Sequence, residues 1–167
     1  MLYFLDTEFS DRGPNFPIQL ISIGVVNELG KEFYRVVRDC DFDTDGCNDF
    51  VKQNVLPKIF HETRTDLSAI VNELLEFVKD DKNPFFVGYH CSTDWVIIKQ
   101  LFHAQGGIPR NWTKYCFDIV QLNQSLGWPK MPKKPKADKR HNSMEDARWI
   151  KKSYEFLMTI KDAVKSS

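Results

Sequence analysis

The chain has 167 residues, a length typical of one folded domain, and its 13 Phe, 4 Trp and 5 Tyr supply apolar surface for a core. Lys and Arg together number 23, as do Asp and Glu, so the net charge does not indicate a nucleic-acid or membrane partner. No apolar stretch approaches the roughly 20 residues of a spanning helix, and the N-terminus does not resemble a signal peptide. We therefore predict a single domain over 1–167, without membrane insertion.

The first third of the chain predicts three antiparallel strands. Residues 2–6, 18–26 and 31–38 are rich in β-branched and aromatic residues, and the sequence NELG between the second and third is typical of a hairpin turn. A short apolar run at 84–90 predicts a strand buried on both faces. Residues 114–127 repeat a strand-to-helix pattern more weakly.

Apolar residues at helical spacing predict helices over 50–59, 65–80, 92–105 and 141–164. Thr65 or Asp66 is a candidate cap of the second helix, and Ser92 or Thr93 of the third. The order of elements predicts an α/β fold with a mixed five-stranded sheet, antiparallel and then parallel, flanked by helices. In such sheets, sites form where strands end and helices begin.

Two carboxylates stand at the end of the first predicted strand. In the sequence FLDTEF, residues 4–9, Asp6 and Glu8 are two positions apart, so they project to one face about 7 Å from each other. A divalent cation with oxygen ligands would offset their repulsion. Taken alone, the pair is more simply explained as a solvated strand end.

Two further acids lie at element junctions. Asp94 is in the first turn of the helix after the buried strand, and Asp146 is in the first turn of the last helix. Either one alone is also explained as a partner of the helix dipole. His141, five residues before Asp146, can border the same space and accept a proton from water. Together the four acids and the histidine predict a two-metal hydrolytic site.

Three segments carry a family resemblance that covers nearly the whole chain. FLDTEF (4–9), GYHCSTDW (88–95) and HNSMEDAR (141–148) resemble, in order, the three motifs of the DEDDh 3′-5′ exonucleases, also called DnaQ-like, which have an RNase H-like fold. The spacing of His141 and Asp146 matches the histidine subclass. Longer segments are similar to the RNase AS-like exoribonucleases: 4–13, 18–26, 51–57, 94–102 and 131–148.

The resemblance implies a site and a reaction. Metal ligands would be Asp6, Glu8, Asp94 and Asp146, and the general base would be His141. The ions would be two Mg²⁺, with Mn²⁺ as a substitute, and the substrate would be single-stranded RNA, cut from its 3′ end to nucleoside 5′-monophosphates. The resemblance further implies a homodimer. His90 and Thr93 depart from the family pattern, which places contacts to the terminal nucleotide in question.

The stretch 130–140 is strongly basic, with five Lys and one Arg against one Asp, which leaves 17 basic and 22 acidic residues elsewhere. The stretch is either a solvated loop or a surface that binds the phosphates of a nucleic-acid strand. Its position directly before His141 favours phosphate binding. The predicted substrate contacts are Glu8, Phe9, Lys133, Lys134, Lys136 and Arg140. Glu8 would accept a hydrogen bond from the terminal 3′-OH. Phe9 would either stack on a base or, since strand alternation directs it to the opposite face from Glu8, belong to the core; Trp95 and Trp128 are alternative platforms.

Two alternatives to an exoribonuclease remain at this point: a 3′-5′ DNA exonuclease, and a catalytically silent module that binds nucleic acid. The four cysteines form no Cys-x-x-Cys pair, so we expect reduced thiols, no zinc site and a cytoplasmic location. Residues 41–46 resemble the start of a calcium-binding EF-hand loop, but Lys52 stands where a bidentate Glu is required. We therefore expect an acidic loop there.

Overall fold

The computed structural model describes residues 1–15, 17–38 and 47–165. Its strands are β1 (Leu2–Ser10), β2 (Gln19–Asn27), β3 (Glu32–Val37), β4 (Arg64–Thr65), β5 (Phe85–Gly88) and β6 (Phe117–Asp118). Its helices are α1 (Asp49–Asn54), α2 (Leu56–Ile59), α3 (Leu67–Val78), α4 (Ser92–Leu101), α5 (Ile119–Ser125) and α6 (Ser143–Lys165), with a 3₁₀ turn at His103–Gln105. The EF-hand-like stretch 41–46 and Cys40 lie outside the described residues.

The strands form one mixed sheet in the order β4-β3-β2-β1-β5-β6. β1, β2 and β3 pair antiparallel, whereas β5 runs parallel to β1 and β6 runs parallel to β5. The predicted α/β fold with a mixed sheet is therefore confirmed. The sheet of the described residues has a sixth strand beyond the five predicted: β4 pairs parallel with β3 through two residues, too few to show periodicity in the sequence.

Alternation along β1 directs side chains to two apolar layers. Tyr3 and Leu5 pack with residues of α3 and α4, whereas Phe4 packs with residues of α5 and α6. The sheet is thus covered by helices on both faces. Among the described residues, no helix is long and apolar enough to cross a lipid bilayer.

Two helix boundaries differ from the prediction. The helix expected over 50–59 is divided at Val55 into α1 and α2, since Pro57 in the first turn of α2 has no N–H for a helical hydrogen bond. Cys91, rather than Ser92 or Thr93, precedes α4 as its N-terminal cap residue.

Gly24 allows the start of α6 to lie directly on the sheet. It pairs with Asp6 across β1 and β2, and a Cβ atom built there would lie 2.3 Å from the Ser143 carbonyl oxygen and 2.6 Å from the Met144 nitrogen. These atoms are backbone and cannot rotate away. The close approach brings the first turn of α6, which carries Asp146, next to the strand that carries Asp6.

We expect Gly24→Ala to lower the free energy of unfolding by about 3 kcal/mol, because α6 must move off β2 to make room. Urea unfolding followed by circular dichroism would measure the loss. Gly13→Ala is the matched control: a Cβ there meets no atom within 4 Å, so only the cost of its φ of 90°, about 1–2 kcal/mol, applies. Equal losses in the two variants would contradict this account of the packing.

Candidate active site

β1 extends past its predicted end to Ser10, so Asp6 and Glu8 both lie on regular strand. The pairing with β2 shifts register between Glu8 and Phe9. This irregularity lets Phe9 line the cavity that contains the acids while also packing against the core. Simple alternation had directed Phe9 to the opposite face from Glu8.

Thr7 fixes the position of Asp94. Its backbone N–H and its hydroxyl both donate to Oδ1 of Asp94, at 2.8 and 2.6 Å, and both residues are buried. The strand that carries Asp6 and Glu8 is thereby bonded to the first turn of α4. This role of Thr7 was not predicted, although a hydroxyl residue between two acids is a visible signal for it.

The turn before α6 positions His141 and Asp146. The His141 N–H donates to Oδ2 of Asp146 at 2.9 Å, and His141 has a φ of 61°, in the left-handed region. Oδ1 of Asn142 accepts hydrogen bonds from the N–H groups of Met144 and Glu145, both at 3.2 Å, and so caps the start of α6. Histidine and aspartate therefore enter the site as one local unit.

An aromatic ring from α1 packs against the histidine. The centroid of the Phe50 ring lies 5.0 Å from that of His141, edge to face. Burial lowers the pKa of His141, against the opposing effect of Asp146, while the positive charge of Arg140 lowers it further. The imidazole is therefore neutral at pH 7 and able to accept a proton. The contact of Phe50 with His141 was not predicted, because the apolar spacing along a helix does not show whether a given Phe is exposed.

All five predicted catalytic residues line one cavity of about 280 Å³. Its lining is Asp6, Thr7, Glu8, Phe9, Tyr89, His90, Thr93, Asp94, Lys134, Arg140, His141, Asp146, Trp149 and Ile150. Of the predicted substrate contacts, Glu8, Phe9, Lys134 and Arg140 therefore face the cavity. In the described part of the chain, Lys133 and Lys136 are exposed and lie outside this lining.

The two tryptophans considered as base platforms do not line the cavity either, among the residues described. Trp95 is 5% exposed, its Nε1–H donates to the Lys114 carbonyl at 2.9 Å, and its ring packs on Phe86. The idea that Trp95 stacks on a base is therefore wrong: it is a core residue. Trp128 is exposed, with a φ of 61°.

The acids are crowded enough to share a cation. One carboxylate oxygen from each of Asp6, Glu8 and Asp146 lies within 4.8 Å of the other two. Burial first, and then the charges of neighbouring acids, raise the pKa of Asp6 well above its usual range and that of Glu8 to about 8. Burial also raises the pKa values of Asp94 and Asp146. Oxygen donors under such repulsion suit a hard divalent ion.

In the metal-free protein, the free energy of unfolding should fall as the pH rises from about 4.5 to about 8. Between these values native Glu8 keeps a proton that the unfolded chain has released, so rising pH favours unfolding. Asp6, Asp94 and Asp146 act in the same direction. At about 1.4 kcal/mol per pKa unit, the interval of about 3.5 units corresponds to a loss of at most about 5 kcal/mol from Glu8.

Urea unfolding at pH 5 and pH 8 in the presence of a chelator measures this loss. Glu8→Gln should reduce the difference between the two pH values, and Mn²⁺ should restore stability at pH 8. Glu145→Gln, a change in a carboxylate paired with Arg148 outside the cluster, should retain the full pH dependence. A metal-free protein equally stable at both pH values would show that the acids do not repel one another.

Lys58, on α2, holds the basic stretch 130–140 close to the site. Its Nζ donates to the carbonyl oxygen of Ala137 at 2.9 Å and to that of Arg140. At the other end of the stretch, the Trp149 Nε1–H donates to the Pro132 carbonyl at 3.1 Å. The stretch is thus bonded to the body of the protein at both ends, which favours a binding surface over a freely solvated loop.

The fold and the arrangement of acids and histidine define a nuclease of the DEDDh class. One solved structure, the nuclease domain of 3′hExo, a DEDDh family member, bound to rAMP, has the same fold, with a TM-score of 0.59 over 96% of this chain and 92% of that chain at 13% identity. The family model of the Rv2179c-like 3′-5′ exoribonuclease domain matches residues 1–158, and the chain belongs to that family.

Two curated relatives cover nearly the whole length. They are the 3′-5′ exoribonucleases Rv2179c and MT2234.1 of two Mycobacterium tuberculosis strains, each 30% identical over 169 residues, with 98% of this chain and 96% of the relative covered. The predicted assignment to the DEDDh exonucleases is therefore confirmed. The chain is a hydrolase of the 3′-5′ exonuclease type, which excludes the catalytically silent alternative.

Proposed function

We propose that the chain hydrolyses single-stranded RNA from the 3′ end, releasing nucleoside 5′-monophosphates with the help of two Mg²⁺ ions. The single observation that carries the proposal is the cavity in which His141 borders three carboxylates within 4.8 Å of one another. The names of the curated relatives support RNA over DNA. Residues 1–167 would act as one domain.

Asp6, Glu8, Asp94 and Asp146 are the residues that would hold the ions. Bound there, two divalent cations would lower the pKa of an attacking water and offset charge on the reacting phosphate oxygens. Mn²⁺ satisfies the same oxygen donors and should substitute. The two hydrogen bonds from Thr7 fix the orientation of the Asp94 carboxylate.

His141 takes the proton of the attacking water at its imidazole ring. The water oxygen bonds to phosphorus, and the bond from phosphorus to the 3′ oxygen of the preceding nucleotide breaks. A nucleoside 5′-monophosphate leaves, and the 3′ oxygen of the shortened chain takes up a proton from solvent to become a new 3′-OH. The pKa of His141, held low by burial, keeps the imidazole ready to accept a proton near neutral pH.

Glu8 would accept a hydrogen bond from the terminal 3′-OH, which would restrict cleavage to chain ends. Phe9 and His90 line the same cavity and would contact the terminal nucleotide. Lys133 and Lys136, exposed on the stretch 130–140, would neutralise phosphates farther along the strand and make binding salt-dependent. Because Glu8 would require a terminal 3′-OH, a circular single strand should resist the enzyme.

The test uses 5′-labelled RNA and DNA of one sequence, each with a free or a blocked 3′ end, and a circular RNA. The wild type with Mg²⁺ should shorten only free RNA 3′ ends, one nucleotide at a time. Chelator or Asp94→Asn should abolish the ladder. Cleavage of the circle, preference for DNA or unchanged laddering by the variant would each contradict a named part of the proposal.

We also propose a homodimer in the cytoplasm. The resemblance to RNase AS-like enzymes supports the dimer. Cys47, Cys91 and Cys116 are free thiols, as expected in a reducing compartment. Sedimentation equilibrium at micromolar concentration would test the assembly, with a monomer mass contradicting it.

A further inference from the structure

Lys134 differs from the other described lysines of the stretch 130–140, although Arg140 of the same stretch also lines the cavity. Its Nζ lies 4.2 Å from the ring centroid of Tyr89 and 5.1 Å from that of Trp149, and its side chain lines the active-site cavity. Lys133, its neighbour, is exposed like Lys134 but is not among the described residues that line the cavity. One lysine of the stretch therefore belongs to the site itself.

The two rings that hold Lys134 are themselves fixed. Tyr89 and Trp149 contact each other edge to face, with centroids 5.0 Å apart, and Trp149 is 6% exposed. The Trp149 indole also bonds to the Pro132 carbonyl, two residues before the lysine. Cation–π attraction to two rings and an anchored backbone keep the ammonium group in place.

The ammonium group faces the acids of the site. Its positive charge acts on the carboxylates of both Asp6 and Asp146, whereas Lys58 acts on Glu8. Four ionised carboxylates carry a charge that two divalent cations would balance. The charge of Lys134 is then available to interact with the phosphodiester, whose negative charge increases as the attacking oxygen bonds to phosphorus.

We propose that Lys134 is a catalytic residue whose ammonium group donates a hydrogen bond to a non-bridging oxygen of the phosphate being cut. This inference rests on the proposed exonuclease function and assigns Lys134 a role distinct from phosphate tracking along the strand. A fixed cation stabilises the transition state more than the ground state, because the charge on the phosphate is larger there. Lys133, in contrast, contributes only to binding.

A purely structural role for Lys134 makes a different prediction. If the lysine merely held Asp6 and Asp146 in position, its loss would loosen the carboxylates and weaken metal binding. If it contacts the phosphate, its loss removes a cation that competes for the same carboxylates, so metal affinity should stay equal or rise. Metal affinity without substrate therefore separates the two roles.

The experiment compares Lys134→Met, Lys134→Arg and Lys133→Met with the wild type. For each protein, kcat and KM are measured on a 5′-labelled RNA with Mg²⁺, and Mn²⁺ affinity is measured by calorimetry without RNA. We expect Lys134→Met to lose about 10²-fold in kcat with unchanged or tighter Mn²⁺ binding. Lys134→Arg should recover at least about tenfold, whereas Lys133→Met, which loses a binding contact to the strand, should raise KM more than it lowers kcat.

Three results would overturn the inference while leaving the proposed function intact. They are a kcat of Lys134→Met within about threefold of the wild type, equal losses in Lys134→Met and Lys133→Met, and Mn²⁺ binding weakened about tenfold or more in Lys134→Met. If the wild type releases no nucleotides from RNA 3′ ends, the proposed function fails first and the inference fails with it. Equal thermal unfolding of all variants controls for folding.

Discussion

Asp146→Asn should lower kcat by about 10³-fold or more. Its carboxylate lies within 4.8 Å of those of Asp6 and Glu8, and removing its charge weakens the hold on a cation whose contribution to the reaction is several kcal/mol. The asparagine side chain has the same shape, and its oxygen can still accept the hydrogen bond from the His141 N–H. The loss should therefore appear in activity rather than in folding, measured by nucleotide release and thermal unfolding respectively.

Glu145→Gln is the matched control, because Glu145 precedes Asp146 on α6 but pairs with Arg148 rather than with the cluster. It should retain activity within about twofold. Activity of Asp146→Asn within tenfold of the wild type, at saturating Mg²⁺, would show that this carboxylate does not hold a reacting ion.

His141→Ala should lower kcat by about 10²–10³-fold with a smaller change in KM, since the attacking water loses its proton acceptor. The wild type should show an acidic limb in its kcat profile with a midpoint below 6.5, because burial lowers the pKa of His141 and protonation removes the base. In the variant that limb should disappear, and the rate should rise with hydroxide concentration. Profiles between pH 5 and pH 9 would test both expectations.

Phe50→Leu is the control for His141. It keeps an apolar contact on the imidazole while removing the ring edge that lies 5.0 Å from it. The acidic limb should persist in this variant. An acidic limb unchanged in His141→Ala would show that another group supplies the base.

Periodicity and motif spacing predicted much of the fold and the outline of the site. The strands and the long α6 helix were predictable because the local pattern of apolar residues shows which of their side chains are buried. β4 was not, because a two-residue pairing depends on β3 being present beside it. The division of α1 from α2 had a signal in Pro57, which the apolar spacing concealed.

Within the site, the acids and His141 were predictable because their residue types and motif order carry the chemistry. Contacts made by residues distant in sequence were not. Lys58 reaches the backbone of residues 137 and 140 from α2, and no local pattern indicates that reach. The different roles inferred for Lys133 and Lys134 likewise depend on the positions of Tyr89 and Trp149 in the folded protein.

Calorimetric titration of the metal-free protein with Mn²⁺ at pH 8 tests the central claim most directly, namely that buried acids from distant parts of the chain share divalent ions. The wild type should bind two ions per chain, and Asp6→Asn should lose at least one of them while remaining folded. No saturable binding by the wild type, or unchanged stoichiometry and affinity in Asp6→Asn, would contradict it.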